Sequence, residues 1–397
     1  MTSHTPDPLA LARLGPVTLR NRVIKSATFE GVTPDALVSD RLIDFHVRVG
    51  EGGAGMTTVA YLAVAPEGRT ERGQVYWRPE ALPGLRRLTD AVHATGAKVS
   101  AQIGHAGPVA NSRSTGLPSL APSMRPNALA MGVDRKASVD DIRRIVRQHA
   151  EATRYAIDVG FDAVEVHVGH NYLASSFLSP NINRRKDEWG GSLQNRARFP
   201  RMILEAVREA ADGQIAVLAK TNMADGVAGG LWLDESLAFA RMVEADGHLD
   251  ALELTGGSSL LNPMYLFRGD IPLAEMAATQ KPIIRLGMKM FGWAVFQKYP
   301  YEPMYFLDYA RQFREALSMP LVLLGGITDL VAMQAAMRDG FEYVAMARAL
   351  LREPDLINRI GRDAAARSAC IHCNLCAESI FTGTRCPLAA GAERVSR

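Results

Sequence analysis

VDDIRRIVRQHAEATRYAIDVGFDAVEVH, residues 139–167, joins a long helical stretch to a short strand through a glycine turn. Over Val139–Val159 the residues Ile142, Ile145, Val146, His149, Ala152, Thr153 and Ala156 recur at helical spacing, which makes one face apolar. AVEVH, Ala163–His167, is short and rich in β-branched residues, as a buried strand is. The stretch is therefore one helix-then-strand unit, and the question is how often that unit recurs.

It recurs along the whole chain. Further strands are expected at Arg22–Ala27, Met56–Ala60, Lys98–Ile103, Ile215–Thr221, Ala251–Thr255, Pro320–Leu324 and Tyr343–Ala347, which with Ala163–His167 makes eight. Helical patterns lie between them at Arg201–Ala210, Leu233–Ala245, Tyr305–Leu317 and Leu330–Met337. Alternation of this kind predicts parallel strands with right-handed crossovers. Eight units favour a closed (β/α)8 TIM barrel over an open doubly wound sheet. We place the barrel at residues 1–360 and a cysteine-rich tail at 361–397. Two stretches break the repeat. Gly104–Ser138, rich in Gly, Pro, Ser and Asn, reads as a long loop over the barrel mouth. Leu260–Pro303 mixes Met, Phe, Trp and Tyr with Gly and Pro, which suits a packed subdomain, a substrate lid or a self-association surface that would make a homo-oligomer.

Composition narrows the function classes. With 47% hydrophobic and 22% charged residues the chain has the make-up of a globular protein, and no apolar run reaches the roughly 20 residues of a membrane span. A net charge of +3 with scattered Lys and Arg gives no footprint for nucleic acid. MTSHTPDPLALARL lacks the pattern of a secretory leader, so the cytoplasm is the expected location. All four cysteines, Cys370, Cys373, Cys376 and Cys386, fall in the tail. In a reducing compartment such clustering points to metal binding or redox chemistry rather than disulfides.

Working residues of a barrel sit at the C-terminal ends of its strands. The third strand ends at Gln102, whose carboxamide can read the amide edge of a ring or simply satisfy backbone. The fourth runs AVEVHVGHNYL, with His167, His170 and Tyr172 at its exit. A helical zinc pair would be four apart with a third ligand, which is missing here. Two imidazoles can hold a polarised oxygen, and a phenol stays protonated at neutral pH and can donate. Catalytic, structural and metal roles all remain open from the residues alone. After the last two strands, Gly325 and Gly326 allow backbone N–H groups to approach an anion, and Arg348 can grip a phosphate. A ring-edge reader opposite a phosphate site suggests a phosphorylated aromatic cofactor, and flavin mononucleotide (FMN) fits.

The stretches NRVIKSATFEG, GMTTVAYLAV, QIGHAG, EVHVGHNYLASSFLSPNINRRKDEWGGSLQNRARF, LLGGIT and MARALLREPDL, spanning about Leu14 to Pro354, resemble the old yellow enzyme family of flavin-dependent ene-reductases. The resemblance implies FMN across the barrel mouth, hydride from NADH or NADPH, and a small-molecule activated alkene as substrate. It implies that Ser26, Ala27 and Thr28 run along the flavin, that Ala60 lines it, and that Gln102 bonds its pyrimidine edge. Gly325, Gly326, Ala347 and Arg348 would hold the phosphate. His167 and His170 would bind the substrate oxygen, and Tyr172 would give the proton. Three positions depart from the family pattern: Lys220 stands for a usual arginine, Ala347 for a usual glycine, and Phe29 for a small polar residue.

The tail, C-x2-C-x2-C-x9-C, is similar to that of the 2,4-dienoyl-CoA reductase and trimethylamine dehydrogenase branch, where clustered cysteines ligate a [4Fe–4S] cluster. Zinc needs the same four thiolates, and unligated thiols are the third alternative. Those relatives continue into further domains, and the chain stops at Arg397, so a cluster would exchange electrons with an outside partner. That would make the chain an iron–sulfur flavin dehydrogenase or demethylase. A flavin-holding redox or metal sensor is the remaining rival.

Overall fold

The structure, a computed structural model, describes residues 5–127, 130–278, 285–288, 290, 292, 296–380 and 382–389. In chain order its strands begin with the hairpin β1 (Ala12–Leu14) and β2 (Val17–Leu19). Then follow β3 (Val23–Lys25), β4 (Met56–Ala63) and β5 (Lys98–Gly104). Next come three short strands, β6 (Leu120–Ala121), β7 (Arg125–Asn127) and β8 (Gly132–Lys136). The last five are β9 (Ala163–Val168), β10 (Ala216–Asn222), β11 (Ala251–Thr255), β12 (Leu321–Leu324) and β13 (Tyr343–Met346).

Eight of them close into a barrel of parallel strands, ordered β3, β4, β5, β9, β10, β11, β12, β13 and back to β3. These are the eight expected strands, with ends moved by up to three residues. The opening stretch folds as read, into a helix over Val139–Asp158 and strand β9. Ser138 caps the helix through a reciprocal pair with Asp141, which satisfies backbone donors that the first turn leaves free.

Three features differ from the sequence reading. The hairpin β1–β2 was not expected. Its Leu14, Val17 and Leu19 pack with Ile24, Met56, Ala163 and Tyr343 into a separate core cluster, so the hairpin plugs one end of the barrel. Neither ARL nor VTL belongs to a longer apolar run that reads as a strand, although the Gly15–Pro16 turn between them was a signal. Residues 104–138 are not simply a loop, because β6, β8 and β7 form a three-stranded sheet there. The helix expected at Arg201–Ala210 runs over Leu193–Ala211 and passes through Pro200, a residue type that ordinarily breaks a helix interior. Within 260–303, Pro263–Phe267 and Leu273–Ala278 are helical, while residues 279–284, 289, 291 and 293–295 lie outside the described residues. Among the described residues no helix is long and apolar enough to cross a membrane.

Register does the positioning. β5 pairs Gln102 with Glu165 of β9, β9 pairs His167 with Lys220 of β10, and β10 pairs Lys220 with Glu253 of β11. Side chains two apart on a strand share a face. Glu165 and His167 therefore stand together on β9, in line with Gln102, Lys220 and Glu253.

Candidate active site

Gln102, His167 and Lys220 floor a cavity of about 1080 Å3, measured out to its solvent opening, and Glu165 and Glu253 pair with Lys220. Ser26, Ala27, Thr28 and Phe29 line it after β3, Ala60 and Tyr61 from β4, and Gln102 from β5. His167, His170, Tyr172 and Lys220 line it from β9 and β10, and Ala347 and Arg348 after β13. Ala60 and Tyr61 fall where the β4–β5 pairing slips by a bulge, the irregularity that re-aims side chains beside sites. A smaller cavity shares Leu324, Ala347, Arg348 and Tyr305 with the first, and is lined by Gly325, Gly326, Ile327 and Thr328. The structure thus brings every residue named as catalytic or flavin-binding from the sequence to one or both of two adjoining cavities.

The floor is a buried ionic group. Lys220 Nζ lies 3.0 Å from both Glu165 Oε1 and Glu253 Oε1, and donates to Ser26 Oγ at 3.2 Å. Gln102 Nε2 donates to Glu165 Oε1 at 2.6 Å, and Ser26 Oγ to Glu253 Oε1 at 2.9 Å. Burial alone would lower the lysine pKa, but the two carboxylates more than offset it and raise it. Burial, then repulsion from Glu165, pushes Glu253 up to about 8. The Glu253 carboxyl therefore keeps its proton at neutral pH, beside a Lys220 ammonium that keeps its charge. Lys25, fully buried, donates to the Ser26 carbonyl and to Thr28 Oγ1, both at 2.8 Å, and so fixes the strip along the cavity edge.

The His/His/Tyr group is held by backbone geometry rare for non-glycine residues. His170 and Asn171 have φ of 58° and 60°. Asn222 accepts from the His170 N–H at 3.0 Å and itself donates to Asp225 and to the Gly257 carbonyl. His170 Nε2 meets Thr255 Oγ1 at 3.0 Å. The rings of His167 and His170 are 5.0 Å apart, and those of His167 and Tyr172 are 4.4 Å apart. Burial, with Lys220 nearby, holds His170 down at about 3, and burial with His170 and Lys220 holds His167 well below the ordinary range. Both imidazoles are therefore neutral, each with one N–H to offer. Burial pushes the Tyr172 phenol upwards, so it keeps its proton. His167 Nδ1 is buried without a hydrogen-bond partner among the described residues.

The wall holds residues that sequence reading missed. Tyr61 packs edge-on against Tyr172, with centroids 5.2 Å apart. Leu266, Phe267 and Tyr305 come from beyond β11, and Ala377, Ile380 and Thr384 come from the tail, beside Cys376, which the sequence offered only as a metal ligand. Glu165 and Glu253 had a signal: each is a lone carboxylate inside an otherwise apolar strand. The tail residues had none, since their place depends on where the tail docks. Asn374 accepts from Arg348 Nη1 at 2.5 Å and donates to the Arg268 and Asp270 carbonyls, His372 stacks on Tyr301, and the Thr384 N–H donates to the Glu30 carbonyl at 2.8 Å.

The four cysteines are free thiols, each half-buried. Burial raises the pKa of Cys370 and, more strongly, that of Cys376, to about 11. Among the described residues no three His, Cys, Asp or Glu side chains converge closely enough to hold a metal ion.

The family model for NADH:flavin oxidoreductase / NADH oxidase matches residues 8–252, from the hairpin through β11's first residues. The chain belongs to this NADH:flavin oxidoreductase family. The old yellow enzyme resemblance is borne out, and with it FMN as cofactor and a reduced nicotinamide as reductant. A 4,4'-dithiodibutanoate disulfide reductase of Rhodococcus erythropolis is 56% identical over 385 residues, covering 97% of this chain and 96% of that protein. Among solved structures, the old yellow enzyme homologue from Zymomonas mobilis superposes with a TM-score of 0.73 at 20% identity, over 96% of this chain and 97% of that one. A 2-naphthoyl-CoA reductase superposes at 0.79 with 23% identity over 94% of this chain, which spans about half (55%) of that longer protein. These two likenesses show the barrel fold.

The cavity of this flavin oxidoreductase fits FMN by its donors. Gln102 has a second amide N–H and Lys220 a positive charge to offer at the floor, and Ala27, Phe29, Ala60 and Leu324 supply apolar walls for a flat ring. Arg348 bonds only neutral oxygens among the described residues, so its charge is left for an anion beside the Gly325–Gly326 turn.

Proposed function

We propose that the chain is an FMN-dependent NAD(P)H oxidoreductase that reduces a small organic disulfide. The supporting observation is the His167/His170/Tyr172 group facing a flavin-sized cavity, in a chain 56% identical along nearly its whole length to a disulfide reductase. Ser26, Thr28, Gln102 and Lys220 would hold the ring, and Gly325, Gly326, Ala347 and Arg348 the phosphate. Bound there, FMN supplies two-electron transfer from the nicotinamide to the substrate. Reducing R–S–S–R to two thiols takes a hydride equivalent and a proton: the S–S bond breaks, and one sulfur leaves as thiolate. The neutral imidazoles of His167 and His170 would stabilise that developing anion, and Tyr172 holds the proton it needs.

Reduction of an activated C=C bond is the second reading, favoured by the same neutral imidazole pair, which suits a carbonyl oxygen. The experiment is anaerobic assay of the FMN-loaded protein with NADH or NADPH against 4,4'-dithiodibutanoate and against a cyclic enone, scoring thiol release and alkene loss. Thiol release with Tyr172-dependent turnover supports the first reading. Alkene loss without thiol release sinks it in favour of the second.

The tail belongs to this reading as a second proposal: Cys370, Cys373, Cys376 and Cys386 form the ligand set for a [4Fe–4S] cluster once it is assembled, as the family spacing suggests. Iron and sulfide analysis of anaerobically purified protein tests it, and zinc or neither in their place overturns it.

A further inference from the structure

The connection leaving β4 carries Arg69, Arg72 and Arg78 within ten residues, and all three line an open surface cavity of about 670 Å3 with Tyr76, Asp35 and Thr115. Negative charge nearby is sparse and exposed. Arg78 has the Glu80 carboxylate at 3.7 Å, 70% exposed, and Glu71 acts on Arg69 from a distance. Among the described residues neither Arg69 nor Arg72 has a carboxylate within ion-pair reach. Arg69 is fixed by backbone instead: Nε donates to the Pro66 carbonyl at 2.8 Å, and Nη1 to the Arg72 carbonyl at 2.7 Å. The guanidiniums of Arg69 and Arg78 both lie over the Tyr76 ring, at 4.8 and 4.1 Å from its centroid. Stacking of this kind orients guanidinium groups while leaving N–H edges for a planar anion.

This loop is fastened to the cavity wall. Tyr61 donates its phenol to the carbonyl of Gly68, the residue before Arg69, and Gln74 Nε2 donates to the Tyr61 carbonyl at 2.7 Å. Tyr76 bridges to Ala63 and, like Tyr172, packs against the cluster that Tyr61 anchors. Tyr61 and Tyr172 line the flavin cavity and Tyr76 the arginine cavity, and all three pack in one cluster, so the two cavities adjoin across it.

We propose that Arg69, Arg72 and Arg78 bind the distal anionic group, a carboxylate or a phosphate, of a molecule whose reacting end lies in the flavin cavity. The inference rests on the reading of that cavity as a reductase site. Two sources share this chemistry: the far carboxylate of an acidic disulfide, and the phosphates of the nicotinamide. Binding energy taken there, away from the reacting atoms, would select acidic molecules without altering the floor of the site.

The test uses FMN-loaded wild type, Arg69→Gln, Arg78→Gln and Arg78→Lys, each checked for flavin stoichiometry and melting temperature. Decanedioate, an unreactive diacid with the chain length of dithiodibutanoate, is titrated against the flavin absorbance, with its dimethyl ester as the neutral control. The second arm measures Kd for NADH and NADPH from anaerobic flavin reduction. The expected result is a 10- to 100-fold weaker Kd for the diacid in both glutamine variants, roughly the value of one charge-assisted pair, with partial recovery in Arg78→Lys and no change for the ester. A selective loss for NADPH instead assigns the site to the nicotinamide phosphate and sustains the inference. Diacid and NADPH Kd values within twofold of wild type in both glutamine variants overturn it, as does a wild type that prefers neither diacid over ester nor NADPH over NADH. Decanedioate binding requires no turnover, so a protein that binds it through these arginines yet releases no thiol fails the disulfide reading alone.

Discussion

At the scale of single residues, the floor of the cavity is where one substitution tells most. Lys220 neutralises half of a buried pair of carboxyls, so Lys220→Met removes the only ammonium that Glu165 and Glu253 share in this group. Leaving buried charge unpaired costs about 3–5 kcal/mol. A lower melting temperature together with weaker FMN retention is expected, and calorimetry with gel filtration measures both. Glu253 gives a pH signature. Its folded pKa is about 8, above the 4.5 of a free carboxyl, so the folded state binds the extra proton between those values. Its contribution to stability is whole below pH 4.5 and is lost as pH rises through 8. Glu253→Gln should flatten this part of a melting-temperature profile between pH 5 and 9; an unchanged slope would refute the assignment. Tyr172→Phe should leave flavin reduction by the nicotinamide at its wild-type rate while slowing substrate reduction about 100-fold or more, the scale of general acid catalysis.

At the scale of elements, what was legible followed the hydrophobic period. The eight barrel strands and the helix at Val139–Asp158 carried strong patterns, and the strand ends then pointed to Gln102, His167 and Arg348. The hairpin β1–β2 and the small sheet β6–β8–β7 did not register, because segments such as ARL, LA, RPN and GVDRK carry no β-branched apolar run. Supporting contacts were hidden for a different reason. Asn222 holds the His170 backbone through a partner 52 residues away, a separation that only register resolves. Asn222→Ala should free the left-handed turn, lowering turnover about tenfold with FMN still bound, for the loss of a buried hydrogen bond of about 1–3 kcal/mol. Ser138→Ala is the matched control. It removes a helix cap worth about 1 kcal/mol at a residue that lines neither cavity, and should lower the melting temperature without touching turnover.

At the scale of the whole molecule, the tail and the barrel make one cavity. Cys376, Ala377, Ile380 and Thr384 complete its wall, and the tail is tied to the barrel at both ends of that stretch: through Asn374 to Arg348, Arg268 and Asp270, and through Thr384 to the loop after β3. The guanidinium proposed to hold the FMN phosphate is thereby oriented by a residue outside the barrel repeat. Asn374→Ala removes that orientation and two further donor contacts while leaving the charge of Arg348 in place. FMN should still bind, since the attraction survives, but should dissociate about tenfold faster, because the guanidinium must be reordered at each encounter and the tail opens more readily. Recovery of free-flavin fluorescence after dilution measures that rate. An Arg348→Ala protein provides the bound on the other side, with FMN lost outright. If Asn374→Ala released FMN at the wild-type rate, the tail would be a cover for the cavity and not part of its grip on the phosphate.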